Sequence, residues 1–365
     1  MPNHSTAICI LGMHRSGTSA ITRAVNLLGV YLGERGDLGE AGPDNPEGFW
    51  ERRDIIDLQA RLLVRLHRTW DSAAPLPEQW HTSDKVLPFK EELKRLVAAN
   101  FASHSIWAWK DPRTCLLLPL WKEALAGTNL RCLFVVRSPL DVANSLNKRD
   151  PIALGKAFGV WFNHYLTALK DAAGLSSAFL SYDNFLASWE PELRRCAASL
   201  GIGWPQDERR LRDEMSSFIR PNLRHSHSTL DGLRGVPHPV RELYELLLEV
   251  SAQPAVPEAR LRETVDRLFR DFYGYASFFQ GGLDSPALGQ SNLSNAEDGL
   301  TPLRPPLLKR TLQRWKKSFR KRVGRPKSRS RSPGPAPLAD QDSEHSAQSR
   351  SRGQARKNPQ SRRGD

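Results

Sequence analysis

No apolar stretch in the 365-residue chain approaches the roughly 18–20 residues that a membrane-spanning helix needs. No charged segment followed by a long apolar core opens the chain either, so no secretory leader is expected and a cytoplasmic location is. Cysteine is scarce. Cys9, Cys115, Cys132 and Cys196 are far apart and form no C-x-x-C pair. That spacing points to buried free thiols in a reducing compartment, with no zinc site expected. No internal repeat is present. Acidic charge is nearly missing from one region: residues 301–365 hold 19 Lys and Arg against 4 Asp and Glu, a balance of +15. The net charge of the whole chain is +13, so the first 300 residues stand at −2. The basic excess is therefore a tail and not a property of the folded part.

The stretch that organises the rest is Ile8-Cys9-Ile10-Leu11-Gly12-Met13-His14-Arg15-Ser16-Gly17-Thr18-Ser19. An apolar run ends in a glycine-framed loop, and a helical pattern follows through Ala20, Ile21, Ala24, Val25, Leu27 and Leu28. Such a strand–loop–helix points backbone N–H groups and the positive helix end at one anion. Gly12-x-x-x-x-Gly17 has P-loop spacing, but Thr18 stands where a lysine is expected and the nearest cation is Arg15.

Residues 31–50, rich in Gly, Glu, Asp and Pro, read as a long loop. Helical spacing of Ile55, Leu58, Leu62, Leu63 and Leu66 follows, then a polar helix over about 84–100. Ser105–Trp109 reads as a second strand running into Lys110-Asp111-Pro112-Arg113. A short helix over about 115–126 leads to a buried strand, Leu130–Val136, followed at once by Arg137-Ser138-Pro139. A helix over about 152–172 and a short strand, Ser177–Ser181, complete the pattern before Tyr182. Alternating strands and helices predict an α/β fold with a parallel sheet flanked by helices. Ligands of such sheets bind at the carboxyl ends of the strands. Gly12–Ser19, Lys110–Arg113, Arg137–Ser145 and Tyr182 all fall at such ends.

Nucleoside triphosphate chemistry on a P-loop needs a lysine on the β/γ-phosphates and a carboxylate holding Mg²⁺. The lysine is absent, and the strand that would end in the aspartate ends in Arg137. A kinase or ATPase is disfavoured on that ground, and a metal-free anion transfer fits better. Arg137 and Ser145, eight residues apart, are able to meet on one phosphate. Two anion sites on one nucleotide follow, one at the P-loop and one at Arg137/Ser145.

On these residues the chain resembles the sulfotransferases that use 3′-phosphoadenosine 5′-phosphosulfate (PAPS), over about residues 6–200. Met13-His14-Arg15-Ser16-Gly17-Thr18-Ser19 is similar to the family's 5′-phosphosulfate loop, P-[KR]-S-G-T-T. Arg137 to Ser145 is similar to the 3′-phosphate motif, R-x-P-x-D-x-x-x-S, and Tyr182-Asp183-Asn184-Phe185 to the segment beside the adenine. The G-M-H-R-S-G-T-S form and Asn45-Pro46-Glu47-Gly48-Phe49-Trp50-Glu51 most resemble the bacterial, carbohydrate-directed branch. The resemblance implies that His14, Arg15, Ser16, Gly17, Thr18 and Ser19 hold the 5′-group. Arg137 and Ser145 would hold the 3′-phosphate, with Tyr182 and Arg224 beside the nucleotide. Lys110 would stabilise the sulfuryl group in flight, together with Arg15. Members with K-x-H after the second strand use that histidine as base, and Pro112 stands there in this chain. A carboxylate or imidazole from elsewhere must take the proton. Glu51 is the first candidate and Glu47 the second, with Glu34 aligning less well. Asp111 is expected to orient Lys110 or Arg113.

The implied function is sulfuryl transfer from PAPS to a hydroxyl of a glycan or glycoconjugate, with no metal. A P-loop nucleotide kinase, or a nucleotide-binding protein without catalysis, is the alternative. Nucleic-acid binding through the basic tail is a third reading, and the chain has no reader motif for it. The expected division is a catalytic domain over 1–279 and a linker over 280–306. A basic amphipathic helix over 307–323 and a disordered basic tail over 324–365 complete it. In that helix Leu308, Leu312, Trp315, Phe319 and Val323 share a stripe among eight basic residues, which suits an anionic membrane surface.

Overall fold

In a computed structural model the described residues are 5–39, 48–150, 152–219, 230–252 and 258–284. Four strands form one sheet: β1 (Thr6–Leu11), β2 (Ile106–Lys110), β3 (Asn129–Val136) and β4 (Ser176–Ser181). The order is β2-β1-β3-β4 and every pairing is parallel. This is the α/β architecture expected from the alternation of apolar runs. The strands read as continuous apolar runs because both faces are covered, as a parallel sheet requires.

Alternation along the strands sorts the two faces. Ala7, Cys9, Leu11, Trp107, Trp109, Cys132, Phe134 and Val136 point into one core. That core is closed by α2 (Arg53–Arg65), α3 (Leu87–Phe101), α4 (Thr114–Ala124), α5 (Pro139–Arg149) and α6 (Leu154–Asp171). Ile8, Ile10, Ala108, Leu133, Val135 and Leu180 point into the other. There α1 (Thr18–Leu27), α7 (Tyr182–Ala187), α8 (Trp189–Ser199) and α9 (Glu208–Phe218) cover them. Two later helices, α10 (His238–Ala252) and α11 (Glu258–Asp284), add to the first face. That face is aromatic. Trp107 stacks on Phe101 with ring centres 4.2 Å apart, and Trp109 on Trp121 at 4.0 Å. Such pairs add about 0.5–1.5 kcal/mol beyond area burial. All four cysteines are buried and unpaired.

Two local details depart from a plain loop over 31–50. Tyr31 bridges Trp107 in parallel, and Leu38 bridges Arg52 antiparallel. The chain between them is thus tied to the sheet edge at one end and to the start of α2 at the other. Arg52, only 4 % exposed, ties this segment down through Asp37 at 3.1 Å and Asp54 at 2.7 Å. Its guanidinium packs so close to Gly33 that a side chain there would meet it at 2.5 Å. No described helix is long and apolar enough to cross a membrane. The stretch 307–323 lies outside the described residues.

Candidate active site

Strand register brings the loops together. Ile10 is level with Lys110, and Val136 with Ser181. Gly12, Asp111, Arg137 and Tyr182 therefore emerge along one edge of the sheet. The first loop turns through a Ser16 N–H bond to the Met13 carbonyl and enters α1 at Gly17, which has φ 83°. Only glycine fits this point on two counts. The φ is left-handed, and an added Cβ would lie 2.2 Å from the Tyr182 ring. Beneath the loop, the Tyr165 hydroxyl sits 2.5 Å from the Val135 carbonyl and 3.1 Å from Ser16 Oγ. Its single proton goes to the carbonyl, so Ser16 donates to Tyr165. The first turn of α1 carries no acidic residue, which leaves its positive end able to face an anion.

At the end of β2, Lys110 is nearly enclosed, its side chain 1 % exposed. Its ammonium donates to Glu51 Oε1 at 2.5 Å, to the Phe49 carbonyl at 2.8 Å and to Ser19 Oγ at 3.1 Å. Ser19 in turn donates to the Phe49 carbonyl at 3.3 Å. The nominated lysine, the nominated carboxylate and a P-loop serine thus form one cluster. Trp50 holds the strap over it. Its φ is 54°, and Arg23 and Arg35 stand over its ring at 4.8 and 4.3 Å. Such cation–π contacts are worth about 0.5–1 kcal/mol at exposed sites.

At the end of β3, Arg137 donates to the Arg15 carbonyl at 2.8 Å and lies over the Tyr182 ring at 5.0 Å. Its Nε is buried without a partner. Arg15, in left-handed conformation at φ 69°, donates from Nε to Ser145 Oγ at 2.9 Å. The two phosphate motifs are therefore linked side chain to side chain. Arg15 stands with the β3 corner in this structure, whereas the resemblance sets it on the 5′-group. Burial raises the Tyr182 phenol, while Arg137 and Arg15 oppose that rise. Ser138 caps α5 by accepting from the Asp141 N–H, with Pro139 in the first turn.

Asp111 does not reach Lys110. It accepts from Gln59 Nε2 at 2.9 Å, and from the Arg113 backbone and guanidinium at 3.0 and 2.9 Å. It is the orienter of Arg113. Glu34 accepts from the Tyr31 hydroxyl at 3.1 Å on an exposed surface. It is thus placed apart from the Lys110 cluster. Glu47 and Arg224 lie outside the described residues. His14 is packed edge-on against Trp70, ring centres 4.7 Å apart, and its Nε2 is enclosed without a partner.

Three members of this site carry no signal in the sequence. Tyr165 is one of many buried residues on an apolar helix. Phe49 contributes a carbonyl, which any residue has. Gln59 bridges Asp111, Thr114 and Trp121 from α2, and only its three-dimensional neighbours mark it.

No family model matches the chain, and no curated protein matches it. Among solved structures it is similar to the sulfotransferase domain from the curacin biosynthetic pathway. That match has 15 % identity and a TM-score of 0.34, over 55 % of this chain and 76 % of that one. It is also similar to the sulfotransferase domain from the Synechococcus PCC 7002 olefin synthase. Identity there is 16 % and the TM-score 0.32, over 76 % of this chain and 97 % of that one. Likenesses this loose establish neither family nor activity. The class defined by the chain's own fold and site is an α/β protein with a glycine-framed strand-to-helix loop and two cations, Lys110 and Arg137, at the strand edge. Among the described residues no group of three or more His, Cys, Asp or Glu is arranged to hold a metal ion.

Proposed function

We propose that this protein is a sulfotransferase that moves a sulfuryl group from PAPS to a hydroxyl, on a carbohydrate or glycoconjugate acceptor. The observation that carries the reading is Arg137. It stands at the end of β3, where a magnesium-dependent P-loop enzyme needs a carboxylate, and its buried Nε has no partner. A buried, unpaired guanidinium N–H costs free energy unless a ligand completes it. With Ser145 and Arg15 beside it, the corner suits a phosphate. The loop N–H groups and the start of α1 suit a second anionic group.

PAPS, when bound, supplies an activated sulfuryl group with a nucleotide phosphate as leaving group. The chain's own residues divide the remaining work. Arg137, Ser145 and Arg15 hold the 3′-phosphate, and Tyr182 lines the nucleotide beside them. Gly17, Thr18 and the loop backbone hold the 5′-side. Lys110 is the cation placed to meet charge building on the sulfuryl and bridging oxygens. Glu51 is its counter-ion in the donor-free state and holds the ammonium at the P-loop edge. The carbohydrate acceptor rests on the resemblance of Asn45–Glu51. The basic stretch 307–323, with its apolar residues at three- and four-residue steps, would hold the enzyme near anionic lipid.

Calorimetry on the full chain tests the reading, with adenosine 3′,5′-bisphosphate, AMP and ATP as ligands. The bisphosphate is expected to bind well over tenfold more tightly than either, without magnesium. Equal affinity for ATP and the bisphosphate would overturn the proposal in favour of a general nucleotide binder. Magnesium-dependent ATP binding would favour a kinase.

A further inference from the structure

We infer, resting on the sulfotransferase reading above, that His14 takes the proton of the hydroxyl that accepts the sulfuryl group. It would do so through Nδ1, held in that tautomer by the buried His164 across one bridging water. Three observations converge on this pair. His14 and His164 each enclose an Nε2 that has no hydrogen-bond partner. Their ring centres are 6.5 Å apart at an interplanar angle of 69°. That is too far for a direct bond and close enough for one water between the nitrogens. Buried polar atoms are nearly always satisfied, and for two orphans on rings this near each other we infer a shared partner.

The tautomers then follow. His164 Nδ1 lies 2.8 Å from the Val160 carbonyl, which only accepts, so Nδ1 carries the proton and Nε2 a lone pair. Burial pushes the His164 imidazole down to about 4, so it is neutral near pH 7. A water that donates to His164 Nε2 accepts most readily from a donor on its other side. On this inference His14 supplies that donor from Nε2–H, which leaves its lone pair on Nδ1. Since Nε2 is enclosed while the residue keeps partial exposure, Nδ1 is the nitrogen left toward the loop mouth. Trp70 braces the ring edge-on, and Arg149 packs over Trp70 at 5.4 Å.

His14 precedes Arg15 in the P-loop, and Lys110, the cation at the end of β2, is among those whose charge reaches its ring. The rival base, Glu51, already has a carboxylate oxygen 2.5 Å from Lys110. Burial first, then Arg113, Arg149, His164 and Lys110, holds His14 well below the usual imidazole range. It is therefore unprotonated and ready to accept. A bound phosphosulfate offsets those cations and raises its basicity at the moment of use. In the step, the acceptor oxygen forms a bond to sulfur, and the bond from sulfur to the bridging oxygen breaks. The electron pair leaves on the nucleotide phosphate, and the hydroxyl proton moves to Nδ1 to give the imidazolium.

The test uses the full chain labelled with ¹⁵N-histidine and observed by NMR, free and with adenosine 3′,5′-bisphosphate. The resonance lost in His14→Gln is expected to report the Nε2–H tautomer. It should titrate at higher pH once the bisphosphate is bound, and should become a tautomer mixture in His164→Ala. Sulfate release from PAPS with water as acceptor is the second readout. His14→Gln is expected to lower it by about 100-fold or more with the nucleotide saturating, so that a change in affinity does not enter the rate. His164→Ala should move the acidic limb of the pH–rate profile, which loss of packing alone would not. An Nδ1–H tautomer, or wild-type sulfate release by His14→Gln, would overturn the inference. Failure of the wild-type chain to bind the bisphosphate would instead overturn the sulfotransferase reading, while the tautomer result still judges the histidine pair.

Discussion

The β2 and β3 corners of the sheet edge each bury a cation, yet they are built in opposite ways. Lys110, at the β2 corner, is fully occupied: a carboxylate, a carbonyl and a hydroxyl surround its ammonium. Arg137, at the β3 corner, meets a carbonyl and an aromatic face, and its Nε has no partner. A cation already neutralised by a carboxylate gains little from a further anion. One buried without a carboxylate gains much. The difference suits the corners to separate tasks in the proposed function. On the function proposed above, the β3 corner would take an anion directly, and the β2 corner would exchange partners before it acts. Ground-state affinity should therefore reside at Arg137 and rate at Lys110.

Lys110→Ala is the largest expected effect. Turnover should fall by about 10²–10³, as for loss of one oxyanion donor, with bisphosphate affinity nearly unchanged. If affinity falls as much as rate, the division between corners is wrong. Next is Arg137→Ala, for which calorimetry should show bisphosphate binding weakened by about 1.5–3 kcal/mol. Affinity for AMP, which lacks the 3′-phosphate, should hardly move. Equal losses for both nucleotides would place Arg137 on the shared phosphate and not on the 3′-group.

Glu51→Gln separates the corners from the other side. The amide keeps the shape and removes the charge, so Lys110 loses its counter-ion. Bisphosphate affinity is expected to stay level or rise slightly, because the ammonium is then free to meet the donor's 5′-side. Turnover should fall by less than in Lys110→Ala if Glu51 only holds the lysine. It should fall as far if Glu51 is the base, which steady-state kinetics on both variants would read directly.

Much of this arrangement was legible because it depends on local chemistry. Gly17, needed both for its φ and for the Tyr182 ring, is a residue whose type announces its conformation. Arg137 and Tyr182 were readable as strand-end residues, since apolar runs mark where strands stop. The Lys110–Glu51 contact was only half readable. Both residues stood out, but nothing in one dimension says that residue 51 returns to residue 110 and not to solvent. The strap's path depends on Arg52 binding Asp37 and Asp54, and on Trp50 between two arginines. Those contacts are long-range and depend on packing. His164 was illegible for the same reason. A histidine on an apolar helix has no pattern of its own until the fold brings its ring to within 6.5 Å of His14's.

Ser145→Ala is the smallest expected effect and the finest probe of the comparison. Its hydroxyl accepts from Arg15 Nε at 2.9 Å, so it joins the P-loop to the β3 corner. If Ser145 only tethers Arg15, its removal takes one hydrogen bond from the guanidinium and leaves the 3′-phosphate contact untouched. Bisphosphate and AMP should then change together, each by the roughly 0.5–1.5 kcal/mol of one hydrogen bond. If Ser145 also meets the 3′-phosphate, only the bisphosphate should weaken, by a similar amount. Arg137→Ala and Ser145→Ala would then be coupled in a double-mutant cycle, because both would act on one phosphate. A purely additive cycle, with AMP and bisphosphate shifting alike, would show the β3 corner to hold a single phosphate contact, at Arg137.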